Sequence, residues 1–237
     1  MAPRFPLQVG VLFVDDMVQL TDIAPVDTLT MITPEYVSEA LESNFPHLQD
    51  QVVPMNVSYI HEKGKGLVKL TASAKLSITH SLSNAPPLDI LIIPGSAPII
   101  TARPAIDAFI QSAAAHGTTI LCICTGIFPT AASGVLEGRA ATAPLVMLST
   151  LRAQYPGIQW NNTRRWEKSI GTAGSGDIWT SGSIANGVDL MCAFMRERFS
   201  ESRELVDLMI KLATTPEREP AYDEKEKALE TLFEETR

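Results

Sequence analysis

Three short apolar runs, each closed by charged or turn residues, constrain the fold of this chain more than any other feature. They are LQVGVLFV from Leu7, LDILIIPG from Leu88 and TTILCIC from Thr118. Nearly continuous apolar runs of this kind are typical of strands buried on both faces of a parallel sheet. Between the second and third runs, a helix-type pattern begins at Pro104 and stops at Gly117. Strand, helix and strand in that order predict a right-handed crossover unit.

The remaining patterns extend this arrangement on both sides. NVSYI and GLVKLTA flank the turn-like HEKGKG, which predicts a hairpin or an extension of the sheet. Later short strands are expected in IQWN, RRWEKS and DIWTSG, followed by a helix in IANGVDLMCAFMRERFS. Because we find no repeat, long linker or clear boundary, residues 1–213 are predicted to form a single α/β domain, with 214–237 as a charged helical extension.

Charge and cysteine content narrow the possible partners and location. A formal charge of -8 over 237 residues argues against a phosphate-binding surface, and therefore against nucleic-acid partners. No apolar run approaches the ~18 residues that span a bilayer, and Asp15 and Asp16 precede any cleavage-like site. These two acids at the end of the first run are alternative carboxylates for a site there, and solvated loop acids are the favoured interpretation. Three cysteines without a framework or zinc spacing predict a reducing compartment, a cytoplasmic location and no bound metal.

Cys124 stands where the third apolar run ends and a helix-type pattern begins. Ligands gather at the carboxyl ends of strands in open parallel sheets, and Thr125 and Gly126 can form a tight turn there. Amides at a helix start favour a thiolate and can hold a developing oxyanion. Free cysteine is also commonly a small buried hydrophobe, which is our prediction for Cys122 and Cys192. The local pattern leaves both interpretations open for Cys124, and no histidine stands out as its partner.

Five segments, in order between Leu7 and Phe199, resemble the DJ-1/PfpI superfamily and, within it, the branch that includes isonitrile hydratases. They are VGVLFVDDMVQLTDIAPVD, LDILIIPGSAP, ILCICTGIFPTAASGVLEGRAAT, RRWEKS and GDIWTSGSIANGVDL. The resemblance implies a flavodoxin-like, doubly wound, mostly parallel sheet with helices on both faces. It also implies a homodimer.

The same resemblance assigns roles to residues of the turn. A nucleophilic cysteine in a strained strand-to-helix turn matches Cys124, and the glycine of that turn matches Gly126. The family builds its oxyanion site from the amide after the cysteine, here Thr125, and from the second residue of a Pro-Gly-Gly motif. This chain has Pro94 followed by Gly95 and Ser96, so Ser96 supplies the second amide.

Two departures from the family pattern concern the acid and the pocket. The family places an acid four residues before a proline, whereas Thr21 occupies that place before Pro25 and Asp22 follows it. One step along a helix turns a side chain by about 100°, so either the turn differs and Asp22 supplies the acid, or Thr21 faces the thiol. Hydratase-like members also read A-T-T-H-W where this chain has Ala141–Leu145, so the resemblance does not carry over a substrate.

The resemblance implies a cysteine-dependent enzyme of hydratase or lyase type that acts on a small electrophilic molecule. In this hypothesis Cys124 is the nucleophile and Asp22 moves protons, with no organic cofactor or metal. Two alternatives stay open. One is a glyoxalase or deglycase-like activity on 2-oxoaldehydes, and the other is a non-catalytic sensor in which Cys124 is reversibly oxidised.

Overall fold

A six-stranded sheet forms the centre of the protein in a computed structural model, which describes residues 6–41, 45–96, 103–172, 174–215 and 218–232. In chain order, the strands are β1 (Leu7–Leu12), β2 (Met17–Val18), β3 (Met55–Ile60), β4 (Leu67–Leu70), β5 (Lys75–Ser77), β6 (Ile90–Ile93), β7 (Thr119–Cys122), β8 (Ala140–Ala141), β9 (Gln159–Trp160), β10 (Trp166–Ser169) and β11 (Ile178–Ser181). The helices are α1 (Ala24–Thr30), α2 (Pro34–Leu41), α3 (Pro104–Ala115), α4 (Ile127–Ala132), α5 (Leu148–Gln154), α6 (Asn186–Arg198), α7 (Arg203–Leu212) and α8 (Glu224–Lys227).

The strand order of the central sheet is β10-β11-β7-β6-β1-β3, and every neighbouring pair is parallel except β10 with β11. Counted along the chain, the five parallel strands lie in the order 2-1-3-4-5, which is the flavodoxin-like arrangement. The order reverses between β1 and β6, and this is where open sheets bind ligands. The structure confirms the predicted doubly wound, mostly parallel α/β fold.

Side chains of the buried strands alternate between two apolar layers, one on each face of the sheet. In β6, Ile90 and Ile92 pack into one layer while Leu91 and Ile93 pack into the other. The first layer is covered by α1, α2, α6 and α7, and the second by α3, α4 and α5. Burial on both faces explains why these strands read as continuous apolar runs instead of alternating patterns.

The predicted crossover helix is α3, and Gly117 after it adopts a φ of +82° that suits a helix stop. The strands expected near positions 159, 166 and 178 and the helix from position 186 are also present. Within the described residues, no helix is long and apolar enough to cross a membrane.

The predicted hairpin on either side of HEKGKG is wrong, although β3 does extend the central sheet. β3 lies parallel to β1, whereas β4 belongs to a separate three-stranded sheet between β2 and β5. The amides of Thr79 and His80 both donate to the carbonyl of Tyr59 in β3. The outer edge of β3 is therefore occupied by a segment about 20 residues further on, which leaves no room for β4 beside it.

The described part of the C-terminal segment lies against the end of the sheet and is anchored by Tyr222 and Arg165. Tyr222 is buried, and its hydroxyl accepts a hydrogen bond of 2.8 Å from Asn186 Nδ2. The buried guanidinium of Arg165 donates to the carboxylate of Glu226 and lies 5.5 Å from the Tyr222 ring. Helical structure in this segment covers α8 and a 3₁₀ turn that ends at Glu230.

Candidate active site

Cys124 occupies a strained turn between β7 and α4. Its φ is +53°, a left-handed conformation that costs a non-glycine residue roughly 1–3 kcal/mol and is found mainly at functional sites. Cys124 opens a 3₁₀ turn that ends at Gly126. A side chain at Gly126 would overlap the backbone carbonyl of Ile93, so the turn can pack against β6 only with glycine there.

Ser181, the last residue of β11, holds this turn in place. The backbone amide of Cys124 has left the sheet and donates to Ser181 Oγ at 3.3 Å, and the same hydroxyl lies 3.5 Å from the carbonyl of Cys122. The Ser181 side chain is fully buried. Sequence reasoning gave Ser181 no role, although the parallel register of Thr180 with Cys122 places it one step from the turn.

Asp22, and not Thr21, lies beside the thiol. Asp22 is fully buried and its Oδ2 accepts a hydrogen bond of 3.0 Å from the Gly95 amide, whereas Thr21 is exposed and its hydroxyl accepts from Gln19. These residues belong to a 3₁₀ turn, Leu20–Ile23, which precedes α1. A 3₁₀ helix has three residues per turn. Asp22, three residues before Pro25 in this turn, therefore lies on the side that the residue four before the proline would occupy in an α-helix.

The Asp22 carboxyl and the Cys124 thiol perturb each other in a site that excludes most water. Burial raises the pKa of Asp22 to about 7, although the Gly95 amide and the thiol favour the charged carboxylate. Burial and the charge of Asp22 raise the pKa of Cys124 to about 12, although the amide and hydroxyl of Thr125 favour the thiolate. Burial and the charge of Asp22 therefore outweigh the hydrogen bonds that favour the thiolate.

Of the two amides assigned to the oxyanion site, that of Ser96 is hydrogen-bonded to the side chain of Thr125. The Ser96 amide donates to Thr125 Oγ1 at 3.1 Å, and this hydroxyl donates back to the Ser96 carbonyl at 3.2 Å. A side chain at Gly95 would overlap Asp22 Oδ2 and lie 2.6 Å from Thr125 Oγ1. The close approach of these three segments therefore depends on glycine at position 95, and an anion at the Ser96 amide must displace the Thr125 hydroxyl.

A cavity of about 250 Å³ opens above the thiol at the carboxyl edge of the sheet. It is lined by Met17, Val18, Gln19, Asp22, Thr71, Ser96, Cys124, Thr125 and Ile184. Sequence reasoning did not find its apolar wall, since Ile184 lies far along the chain from Met17 and Val18 of β2. Asp22 Oδ1 is buried there without a hydrogen-bond partner among the described residues. None of the described lining residues is a histidine.

The other candidate acids lie elsewhere. Asp15, expected to be solvated, is buried and paired with Arg103 at 3.0 Å, because this arginine at the start of α3 reaches back to the end of β1. Asp16 is exposed, as expected, and pairs with Lys63. Neither acid lines the cavity. In the described ranges, no group of three or more His, Cys, Asp or Glu side chains is placed to hold a metal ion.

The remaining cysteines match their predicted environment. Cys122 and Cys192 are buried, and none of the three cysteines, all of which the structure describes, forms a disulfide. Burial raises the pKa of Cys122 well above its usual range. We therefore predict that limited alkylation of the native protein modifies Cys124 first, because it alone of the three lines the cavity that opens above it. Faster labelling of Cys122 or Cys192 would contradict this assignment.

Comparisons with known proteins bear on the family and the fold. The DJ-1/PfpI family pattern matches residues 28–197, which include Cys124, Gly95 and Ser96 but not Asp22. Isonitrile hydratase from Pseudomonas putida is 27% identical over 219 residues, 89% of this chain and 80% of that protein, which supports the predicted branch.

Solved structures show the same fold at low sequence identity. DJ-1beta from Drosophila melanogaster superposes with a TM-score of 0.65 at 14% identity, over 90% of this chain and 100% of that one. A ThiJ/PfpI family protein from Pseudomonas syringae gives a TM-score of 0.67 at 14% identity, over 98% of this chain and 87% of that one. With the family pattern matching more than half of its residues, the chain belongs to the DJ-1/PfpI family.

Proposed function

We propose that this protein is a cysteine-dependent enzyme of hydratase or lyase type that acts on a small electrophilic carbon, such as that of an isonitrile. The observation that carries the proposal is a thiol in a strained turn beside a buried carboxyl whose pKa is about 7, both facing a small cavity. The similarity to a known isonitrile hydratase supports the reaction type. Strain and a perturbed pKa cluster at functional sites.

Asp22 acts as the base in the first step, because the thiol is protonated at neutral pH while the carboxyl is about half ionised. The carboxylate accepts the thiol proton as Sγ bonds to the terminal isonitrile carbon, R–N≡C. That carbon then takes the proton from Asp22, which gives the thioimidate R–N=CH–S on Cys124. The covalent adduct divides a difficult hydration into two easier steps.

Water completes the reaction in the second step. Asp22 removes a proton from water as the water oxygen adds to the thioimidate carbon, and passes that proton to nitrogen. The C–S bond of R–NH–CH(OH)–S then breaks, the hydroxyl proton returns through Asp22 to the sulfur, and the formamide R–NH–CHO leaves. One water is consumed, and Cys124 and Asp22 end as they began.

The pKa of Cys124 favours an enzyme over a redox sensor. Sensor cysteines are exposed and have a low pKa, since the thiolate is the form that oxidants attack. Cys124 is buried, and its pKa is raised. A thiol that loses its proton only to an adjacent base reacts with a molecule bound in the cavity in preference to a dissolved oxidant.

Product analysis tests the proposal and its rivals together. The protein is incubated with simple alkyl isonitriles and, separately, with methylglyoxal, alongside Cys124→Ser, Asp22→Asn and the matched control Thr21→Val. We expect N-formamide from the isonitriles, none from Cys124→Ser, a loss of about 10²–10⁴-fold in Asp22→Asn and little change in Thr21→Val. Lactate from methylglyoxal would favour the glyoxalase alternative. No product from either, with stoichiometric oxidation of Cys124 by mild peroxide, would favour the sensor.

The family resemblance leads us to propose a homodimer, and the three cysteines without a framework spacing lead us to propose a cytoplasmic location. Light scattering at several protein concentrations tests the first point, and localisation of the tagged protein in its native cell tests the second. A monomer at micromolar concentration would contradict the dimer.

A further inference from the structure

We propose that the cavity above Cys124 selects uncharged substrates that carry an apolar substituent, and that Met17 and Ile184 are the residues that determine this specificity. This inference deepens the proposed function and rests on it for the identity of the reaction. The selection itself is a property of the cavity and can be measured without turnover.

The charges around the cavity disfavour anions. Among the described lining residues, Asp22 and Cys124 are ionisable and none is a lysine or arginine. An anionic group in this small space would lose its hydration without a cation to replace it and would lie near the Asp22 carboxylate.

Met17 and Ile184 give the mouth of the cavity an apolar character. The side chains of Met17 and Ile184 are 41% and 39% exposed, while Val18 behind Met17 is buried. Large apolar side chains left in water at the opening of a cavity gain free energy when an apolar group covers them. Each buried methylene contributes about 0.8 kcal/mol, so kcat/KM should rise about fourfold per methylene of the substituent until the cavity is full.

Lys69, the cation paired with Met17 in the strand register, does not add a positive charge to the lining of the cavity. Lys69 in β4 pairs with Met17 in β2, but Lys69 is exposed and does not line the cavity. It therefore offers a matched control. Removing its charge should leave the selectivity of the cavity unchanged, whereas adding a charge at position 17 should alter it.

Alkylation of Cys124 by iodoacetamide and iodoacetate tests the selection for charge, since the two reagents are similar in size and differ by one negative charge. Rates in the native protein are divided by rates in the unfolded chain to remove intrinsic reactivity. We expect the normalised rate for iodoacetamide to be at least about tenfold higher than that for iodoacetate. Met17→Lys should reduce that preference severalfold, and Lys69→Gln should not. Equal normalised rates for both reagents, or no effect of Met17→Lys, would overturn the proposal.

Turnover tests the selection for apolar substituents. A series from methyl to butyl isonitrile is compared with isocyanoacetate and its uncharged methyl ester. We expect kcat/KM to rise about fourfold per methylene in wild type and less steeply in Met17→Ala and Ile184→Ala. We also expect kcat/KM for isocyanoacetate to be at least about tenfold lower than for the ester. A flat series, or isocyanoacetate as the better substrate, would overturn the specificity. If no isonitrile reacts at all, the proposed reaction fails, and the alkylation ratio alone then decides the proposal about the cavity.

Discussion

Replacing Asp22 with asparagine should lower turnover by about 10²–10⁴-fold and at the same time change how the stability of the protein depends on pH. Asp22 is fully buried, and burial raises its pKa to about 7, compared with about 3.9 in an unfolded chain. Between these two values the folded protein holds a proton that the unfolded chain has lost. The free energy of unfolding therefore falls as pH rises from about 4 to about 7, and stays low above that.

The size of this effect follows from the two pKa values. Linkage gives a loss of about 2–3 kcal/mol in the free energy of unfolding between pH 5 and pH 8 from this one carboxyl. Asparagine keeps an oxygen that can accept the hydrogen bond from the Gly95 amide and does not ionise. Any cost of the amide group in the Asp22→Asn variant is the same at both pH values, so it cancels in the difference.

Urea unfolding at pH 5 and pH 8 measures this difference. We expect wild type to lose about 2–3 kcal/mol more than Asp22→Asn over this interval. Asp27→Asn is a matched control, since Asp27 is an exposed aspartate in the adjoining α1, and this variant should follow wild type. If wild type and Asp22→Asn change in parallel between pH 5 and pH 8, Asp22 does not have a raised pKa and the mechanism loses its base.

Three further outcomes depend on the same site. Ser181→Ala leaves the buried amide of Cys124 without its acceptor and should lower the free energy of unfolding, measured in urea, by about 1–3 kcal/mol. In the same variant kcat should fall by more than KM changes. Stability equal to that of wild type would contradict the role of Ser181. Gly95→Ala forces its side chain against Asp22 and should lower turnover at least about tenfold, so unchanged kinetics would mean that the three segments do not meet as closely as described. The rate with a neutral substrate should rise with pH through about 7 as Asp22 ionises, and a pH-independent rate across this range would exclude it as the base.

The fold was predictable from the sequence because its signals are local. Apolar runs mark strands buried on both faces, and the bounds of α3 follow from Pro104 and Gly117, whose backbone preferences do not depend on distant contacts. The pairing of β3 was not predictable in the same way. Its edge is taken by Thr79 and His80, and a hairpin pattern cannot reveal that a segment 20 residues away competes for the same carbonyl.

The sequence pointed to some residues of the candidate site but not to its apolar wall or its electrostatics. The motif pointed to Cys124 and to either Thr21 or Asp22, and the choice depended on whether the turn before α1 is 3₁₀ or α, which the letters LTDIAP do not determine. The sign of the pKa shift at Cys124 depends on how deeply the thiol is buried and on the distance of Asp22. Both quantities come from the packing of segments about 100 residues apart in the chain.

The contact between Gly182 and Tyr222 implies epistasis between two distant positions. Any side chain at position 182 would overlap the Tyr222 hydroxyl, and Gly182 directly follows Ser181, which accepts a hydrogen bond from the Cys124 amide. A larger residue at 182 is therefore tolerated only after Tyr222 has been shortened, and a shorter residue at 222 opens space beside the turn. Position 222 lies outside residues 28–197, the range that the family pattern matches. Relatives compared over that range alone would show a constraint on Gly182 but would not include Tyr222, which causes it.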